Sequence, residues 1–102
     1  MGNEKMNDTL ELGHILIHPI RYQIVKAIKE RGKLYISELA DFLGMERKVV
    51  SFHLATLSQY GFVEGQYEIL KIPHSKGKAA KYFKLTPKVE DVLNNMKKEL
   101  EK

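Results

Sequence analysis

The stretch Glu46–Val63, ERKVVSFHLATLSQYGFV, constrains this chain more than any other. On a helical wheel Val50, Leu54 and Leu57 fall on one narrow stripe, with His53 at its edge and Gly61 closing the segment. That i, i+4, i+7 spacing marks the core face of an amphipathic helix. Lys48, Ser51, Phe52, Ala55 and Gln59 take the opposite side, Arg47 stands near the N-terminus, and no acid occurs from Arg47 to Gly61. A helix with a basic start and small residues in its outer face has the size and charge to enter a DNA major groove. The same pattern also suits an ordinary amphipathic helix with a solvated basic face. The segments on either side must decide between them.

Upstream, Ser37 opens a short helix with Glu38 in its first turn and Leu39, Ala40, Phe42 and Leu43 as its apolar set. Gly44 supplies the left-handed residue that ends it. Met45 and Glu46 are all that remain before the next helix, and two helices joined by a short Gly-containing turn form a helix-turn-helix. Downstream of Gly61 the period becomes two. Val63, Tyr67 and Ile69 alternate, Leu70 and Ile72 follow, and Pro73 ends the strand. After the loop HSKGKA, with turn residues Ser75 and Gly77, a second strand runs from Lys81 to Leu85. Six lysines (71, 76, 78, 81, 84 and 88) and no acid lie between Ile69 and Val89. This hairpin reads as a β-wing with a footprint for phosphates. A lysine-decorated edge that discourages aggregation is the alternative.

Asp8 and Thr9 can cap a first helix ending at about Ile17, whose Leu10, Leu12, Ile15, Leu16 and Ile17 exceed one face. Such a helix is buried on two sides or lies against a second subunit. His18 as N-cap and Pro19 at the first helical position start a second helix reaching about Arg31. Ile20, Ile24 and Ile28 form its stripe, Lys26, Lys29 and Arg31 suit its C-terminal dipole, and Gly32 ends it. Lys33–Ile36 reads as a strand stub. Thr86 and Pro87 start the last helix as N-cap and N1, where Val89, Leu93, Met96 and Leu100 recur as a heptad-like seam widened by Val92.

At 102 residues the chain forms one domain. It has no cysteine, which excludes disulfides and thiolate metal sites. No apolar run approaches the roughly 20 residues of a membrane span. The start MGNEKMNDTL lacks an apolar signal core, and Met6 stands where myristoylation requires Ser or Thr, so a cytoplasmic location is expected. The net charge of +4 favours an anionic partner without specifying it. His14 and His18 have the four-residue spacing of a metal pair, but Pro19 breaks the helix there and no third ligand is near, which favours capping and packing. No nucleophile triad, phosphate loop or paired carboxylates appear, so no enzyme and no cofactor are expected.

Helix, helix, strand stub, helix-turn-helix, wing and helix is the winged-helix order. Over residues 12–92 the chain resembles the ArsR-type transcriptional regulators, and more loosely the MarR type. HPIRYQIVKAI resembles the family's opening helix, usually Asp-Pro-x-Arg. ISELADFLGM resembles its first helix-turn-helix helix. VVSFHLATLSQYGFV resembles its recognition helix, usually Val-Ser-x-His-Leu-x-x-Leu followed by Gly-Leu-Val, and KYFKLT resembles its second wing strand. Two departures matter. Glu46 replaces a capping Ser or Thr, and glutamate caps poorly. Phe52 replaces a polar base-reading residue; it can touch a thymine methyl or pack against the wing or a partner. The family's metal sensors use cysteines beside the helix-turn-helix or acid and histidine ligands in the last helix, and this chain has neither the cysteines nor a histidine in that helix.

The expected fold is α+β and mostly helical: one winged helix-turn-helix domain over residues 1–102, with the helix-turn-helix at about 37–60, a two-stranded wing at about 62–85 and a dimerisation helix at about 87–101. The resemblance implies a homodimer that binds double-stranded operator DNA, by family default as a repressor. Arg47 and Lys48 would meet phosphates or base edges, and Ser51, Phe52 and Ala55 the bases. Thr56 and Gln59 would lie nearer the backbone, with Lys76, Lys78 and Lys81 of the wing on flanking phosphates or the minor groove. Leu12, Ile15, Leu16, Val89, Leu93, Met96 and Leu100 are the expected dimer interface. The residues name no small-molecule effector. A winged-helix module for protein–protein contact in the transcription machinery and a sequence-indifferent chromatin protein are the rival readings.

Overall fold

The computed structural model describes residues 2–70 and 77–101, with side chains from Leu10 onward. The order is α1 (Gly2–Ile17), α2 (Pro19–Arg31), β1 (Leu34–Tyr35), α3 (Ile36–Leu43), α4 (Arg47–Gln59), β2 (Val63–Ile69), β3 (Ala79–Leu85) and α5 (Lys88–Leu100). The strands form one antiparallel sheet in the order β1-β3-β2. Leu34 faces Phe83, and the β2–β3 ladder runs from Val63–Leu85 to Ile69–Ala79. This is the winged helix-turn-helix expected from the element order. Among the described residues no helix is long and apolar enough to cross a membrane.

Local signals set most boundaries. His18 caps α2, its Nδ1 accepting the Ile20 N–H at 3.2 Å, and Pro19 follows at the first position. Gly44 adopts φ 64°, ψ 37°, the left-handed conformation that turns α3 into α4. Several boundaries differ from expectation: β1 is only Leu34–Tyr35 and β3 begins at Ala79, two residues before Lys81. Helix α1 begins at Gly2, not at Asp8 or Thr9, because the residues before them include no proline and Glu4, Lys5 and Met6 favour helix. Helix α3 begins at Ile36, because the Tyr35 N–H donates to Glu38 Oε1 at 3.2 Å and closes the first turn one residue early. Thr86 does not cap α5. Its hydroxyl donates to the Gly61 carbonyl at 2.6 Å and its N–H to the Phe62 carbonyl at 2.9 Å, tying the end of β3 to the end of α4.

Ile24, Ile28, Leu39, Val50, Leu57 and Phe62 have no exposed surface, and Leu16, Leu54 and Val89 have almost none. Burying each such side chain stabilises the fold by about 1.5–3 kcal/mol before entropy is counted. Phe42 does not join this core. It is half exposed beneath the Arg31 guanidinium, 4.9 Å from its ring, because Leu39 and Ala40 fill the core side of so short a helix. At the far end of the molecule α5 packs on α1 of the same chain. Met96 lies against Gly13, where any Cβ would collide with its thioether.

Candidate nucleic-acid interface

The core stripe sets the rotation of α4. Val50, His53, Leu54 and Leu57 are buried, while Arg47, Lys48, Ser51, Phe52, Ala55 and Gln59 are exposed. Thr56 is half-buried, and its hydroxyl donates to the Phe52 carbonyl at 3.3 Å. Glu46 takes the N-cap with extended backbone but makes no side-chain cap bond; its carbonyl accepts the Val49 and Val50 N–H groups at 3.1 and 3.2 Å. With no acid in its first turn, the positive end of the helix dipole and the Arg47 and Lys48 charges point the same way.

Two adjoining clefts of about 480 Å³ separate α4 from the wing. Tyr35, Ser37, Arg47, Lys48, Ser51 and Lys81 line the first; Ser51, Ala55, Gln59, Lys81 and Phe83 line the second. Ser51 and Lys81 belong to both, so the outer face of α4 and the wing form one groove. The ammonium of Lys81 lies 5.6 Å from the Tyr67 ring centre and 5.5 Å from that of Phe83.

Among the described lysines of the cluster, Lys84 and Lys88 have partners within the domain. Lys84 pairs with Glu64 at 3.3 Å. Lys88 donates to the Tyr60 carbonyl at 2.6 Å, at the C-terminal end of α4 where a cation is favoured. Lys78 and Lys81 are exposed. Lys71, Lys76, Ile72, Pro73 and the start of the expected loop lie outside the described residues.

His53 is the buried polar side chain behind this face, 7% exposed. Its Nδ1 is 3.4 Å from Arg21 Nη1. A guanidinium only donates, so Nδ1 accepts and the ring proton sits on Nε2. Arg21 also donates from Nε to the Ile15 carbonyl at 2.6 Å, which links the end of α1 to α4. The His18 ring lies 4.8 Å from His53, and Phe52 meets it edge-on at 5.2 Å. Burial, then the charges of His18 and Arg21, push the His53 pKa below its ordinary value. The sequence places His53 at the core edge and Arg21 in the opening-helix pattern, but nothing in it pairs the two, because Arg21's partners lie on two other helices. His18 is occupied as a cap, and among the described residues no three His, Asp or Glu side chains gather as a metal site.

The expected dimer residues divide. Leu16 and Val89 belong to the core of the single chain, which removes them from contact with a partner. Leu12, Ile15, Leu93 and Met96 are half-buried between the terminal helices, and Leu100 is 76% exposed. Leu10 and Ile17, one heptad apart on α1, are also exposed.

A sequence model of the helix-turn-helix domain family matches residues 16–66, half of the chain. No curated protein matches it in sequence. Among solved structures, the transcriptional repressor BigR from Xylella fastidiosa is similar with a TM-score of 0.68 at 23% identity, over 98% of this chain and 93% of that one. The transcriptional repressor PagR of Bacillus anthracis gives 0.67 at 21% identity, over 92% and 98%. A transcriptional regulator homologue from Pyrococcus horikoshii OT3 gives 0.67 at 19%, over 96% and 95%. At these identities the likeness is one of fold. With α4 presented beside a wing over a shared groove, the chain belongs to the helix-turn-helix domain family, in the winged fold that these solved structures share.

Proposed function

We propose that this protein is a sequence-specific transcriptional repressor that binds a pseudo-palindromic operator as a homodimer and acts in the cytoplasm. The observation that carries the reading is the groove in which Arg47, Lys48 and Ser51 of α4 and Lys81 of the wing meet, on a helix face free of acid. Ser51, Phe52 and Ala55 face the bases in this reading, Thr56 and Gln59 lie nearer the backbone, and Arg47 and Lys48 hold the groove entrance. Lys76, Lys78 and Lys81 take flanking phosphates. Leu12, Ile15, Leu93, Met96 and Leu100 remain the dimer residues, and the exposed Leu10 and Ile17 extend that surface. A two-fold dimer sets two α4 helices about one DNA turn, roughly 34 Å, apart. Selection of bound sequences from a random duplex pool tests this. Enrichment of two inverted half-sites about 10 base pairs apart is expected. Uniform binding without enrichment would make it a sequence-indifferent DNA protein, and no salt-sensitive binding at all would favour a protein–protein module.

A further inference from the structure

We infer that His53 is a positioning residue for α4 and that Arg21, His18 and His53 form a proton-sensitive latch, which holds the exposed face of α4 in place while both rings are neutral and releases it when His53 gains a proton. The inference rests on the DNA-binding reading above. The three side chains meet at the junction of α1, α2 and α4. Arg21 grips two helices at once: its Nε donates to the Ile15 carbonyl at 2.6 Å and its Nη1 to His53 Nδ1 at 3.4 Å. The second bond needs the Nδ1 lone pair, so it exists only while that nitrogen carries no proton. On the buried His53 ring two others rest, His18 at 4.8 Å and Phe52, edge-on, at 5.2 Å. Phe52 is exposed on the face that carries Ser51 and Ala55, so the latch seats a residue of the proposed readout surface directly.

A proton on Nδ1 would set one N–H donor against another and an imidazolium beside a guanidinium, where water barely reaches. The His18 ring gives no relief. Its own Nδ1 accepts the Ile20 N–H at 3.2 Å, and a positive charge there would stand at the positive end of the α2 dipole. Among the described residues the charged or titratable groups that act on His53 are His18 and Arg21, and both oppose its proton, as burial does more strongly. The acids of the other elements packed on α4 are engaged elsewhere or exposed. On α3, Glu38 accepts the Tyr35 N–H and Asp41 is exposed; on β2, Glu64 and Glu68 pair with Lys84 and Lys33. Glu11 and His14 of α1, and Glu46, Arg47 and Lys48 at the start of α4, are exposed. A protonated His53 must therefore turn away from Arg21. That frees α4 from the end of α1 and removes the ring on which Phe52 rests. Operator binding selects the latched form, and with it the neutral ring.

The test titrates the duplex most enriched by selection from about pH 8 to about pH 5.5 at constant ionic strength, with circular dichroism at each pH. Added positive charge by itself tightens DNA binding on acidification. The latch requires the reverse. Below about pH 6.5 affinity should fall by up to about tenfold per pH unit, the limit for one proton released on binding, while the helical signal is retained. His53→Gln gives Arg21 an acceptor that does not titrate, and relative to its own affinity at about pH 8 it should show no fall. His18→Asn keeps a capping oxygen and removes a ring that opposes the proton, so its fall should begin at higher pH than in wild type. Should His53→Gln fail to fold, the His18→Asn profile decides. Wild-type affinity that holds or rises on acidification, a fall that only tracks loss of helical signal, or a wild-type profile in either variant would overturn the inference and leave the DNA-binding reading intact. Absence of salt-sensitive binding to any duplex at about pH 8 would overturn that reading, and this inference with it.

Discussion

Phe52 and Leu54 are two residues apart on α4 and have opposite environments, which makes them a sensitive test of the helix rotation. Leu54 is 1% exposed and Phe52 is 66% exposed. Leu54→Ala removes a fully buried side chain from the packing of α4 on the core and should cost about 2–5 kcal/mol. For a chain of 102 residues, with an unfolding entropy near 0.2 kcal/mol/K, that lowers Tm by about 10–25 °C. Phe52→Ala forfeits an edge-on approach to His53 at 5.2 Å, so at most about 0.5–1.5 kcal/mol of stability goes with it. Its effect should fall on DNA: a drop of about 1–3 kcal/mol in discrimination at one or two base pairs if the ring meets a thymine methyl. Thermal melts followed by circular dichroism, with binding titrations on a panel of single-base operator variants, separate the two effects. A Phe52→Ala protein that melts as low as Leu54→Ala and keeps its base preferences would refute the reasoning.

Three further outcomes follow from the same surfaces. Lys78→Ala with Lys81→Ala should flatten the log–log salt dependence of DNA affinity by about 0.9 for each phosphate the variant no longer neutralises, and an unchanged slope would remove the wing from the interface. His53 has a depressed pKa in the fold, so the unfolded chain binds its proton more readily and stability should fall as pH drops below about 6.5, by up to about 1.4 kcal/mol per pH unit until the folded form also protonates. His53→Gln should flatten that profile in pH-dependent urea titrations; a wild-type slope in the variant would place the titrating group elsewhere. Ile17→Glu with Leu100→Glu changes exposed positions and spares the packing of Met96 on Gly13. It should give monomers of unchanged helical content with most of the DNA affinity gone, because the second half-site no longer gains from effective concentration. Wild type sedimenting as a monomer at tens of micromolar would exclude the dimer.

What the chain declares by itself is local. The Val50–Leu54–Leu57 spacing sets which face of α4 is exposed, Pro19 behind His18 starts α2, and Gly44 makes the turn between α3 and α4. Each signal acts within about two helical turns, so periodicity and residue type suffice to read it. The start of α1 escapes such a reading, because Asp8 and Thr9 have the type of a cap while nothing before them stops a helix. Tertiary packing decided the rest. Arg21 meets His53 across 32 positions, Lys88 meets Tyr60 across 28, and Thr86 meets Gly61 across 25. These partners share no sequence period, because their meeting depends on how α2, α4 and the sheet stack. The same stacking divides the lysine run, tying Lys88 to the end of α4 and leaving Lys78, Lys81 and Lys84 exposed, Lys84 beside Glu64. It also lays α5 on α1 of its own chain: the apolar excess of both terminal helices is plain in the sequence, but packing decides how much of it the chain covers by itself.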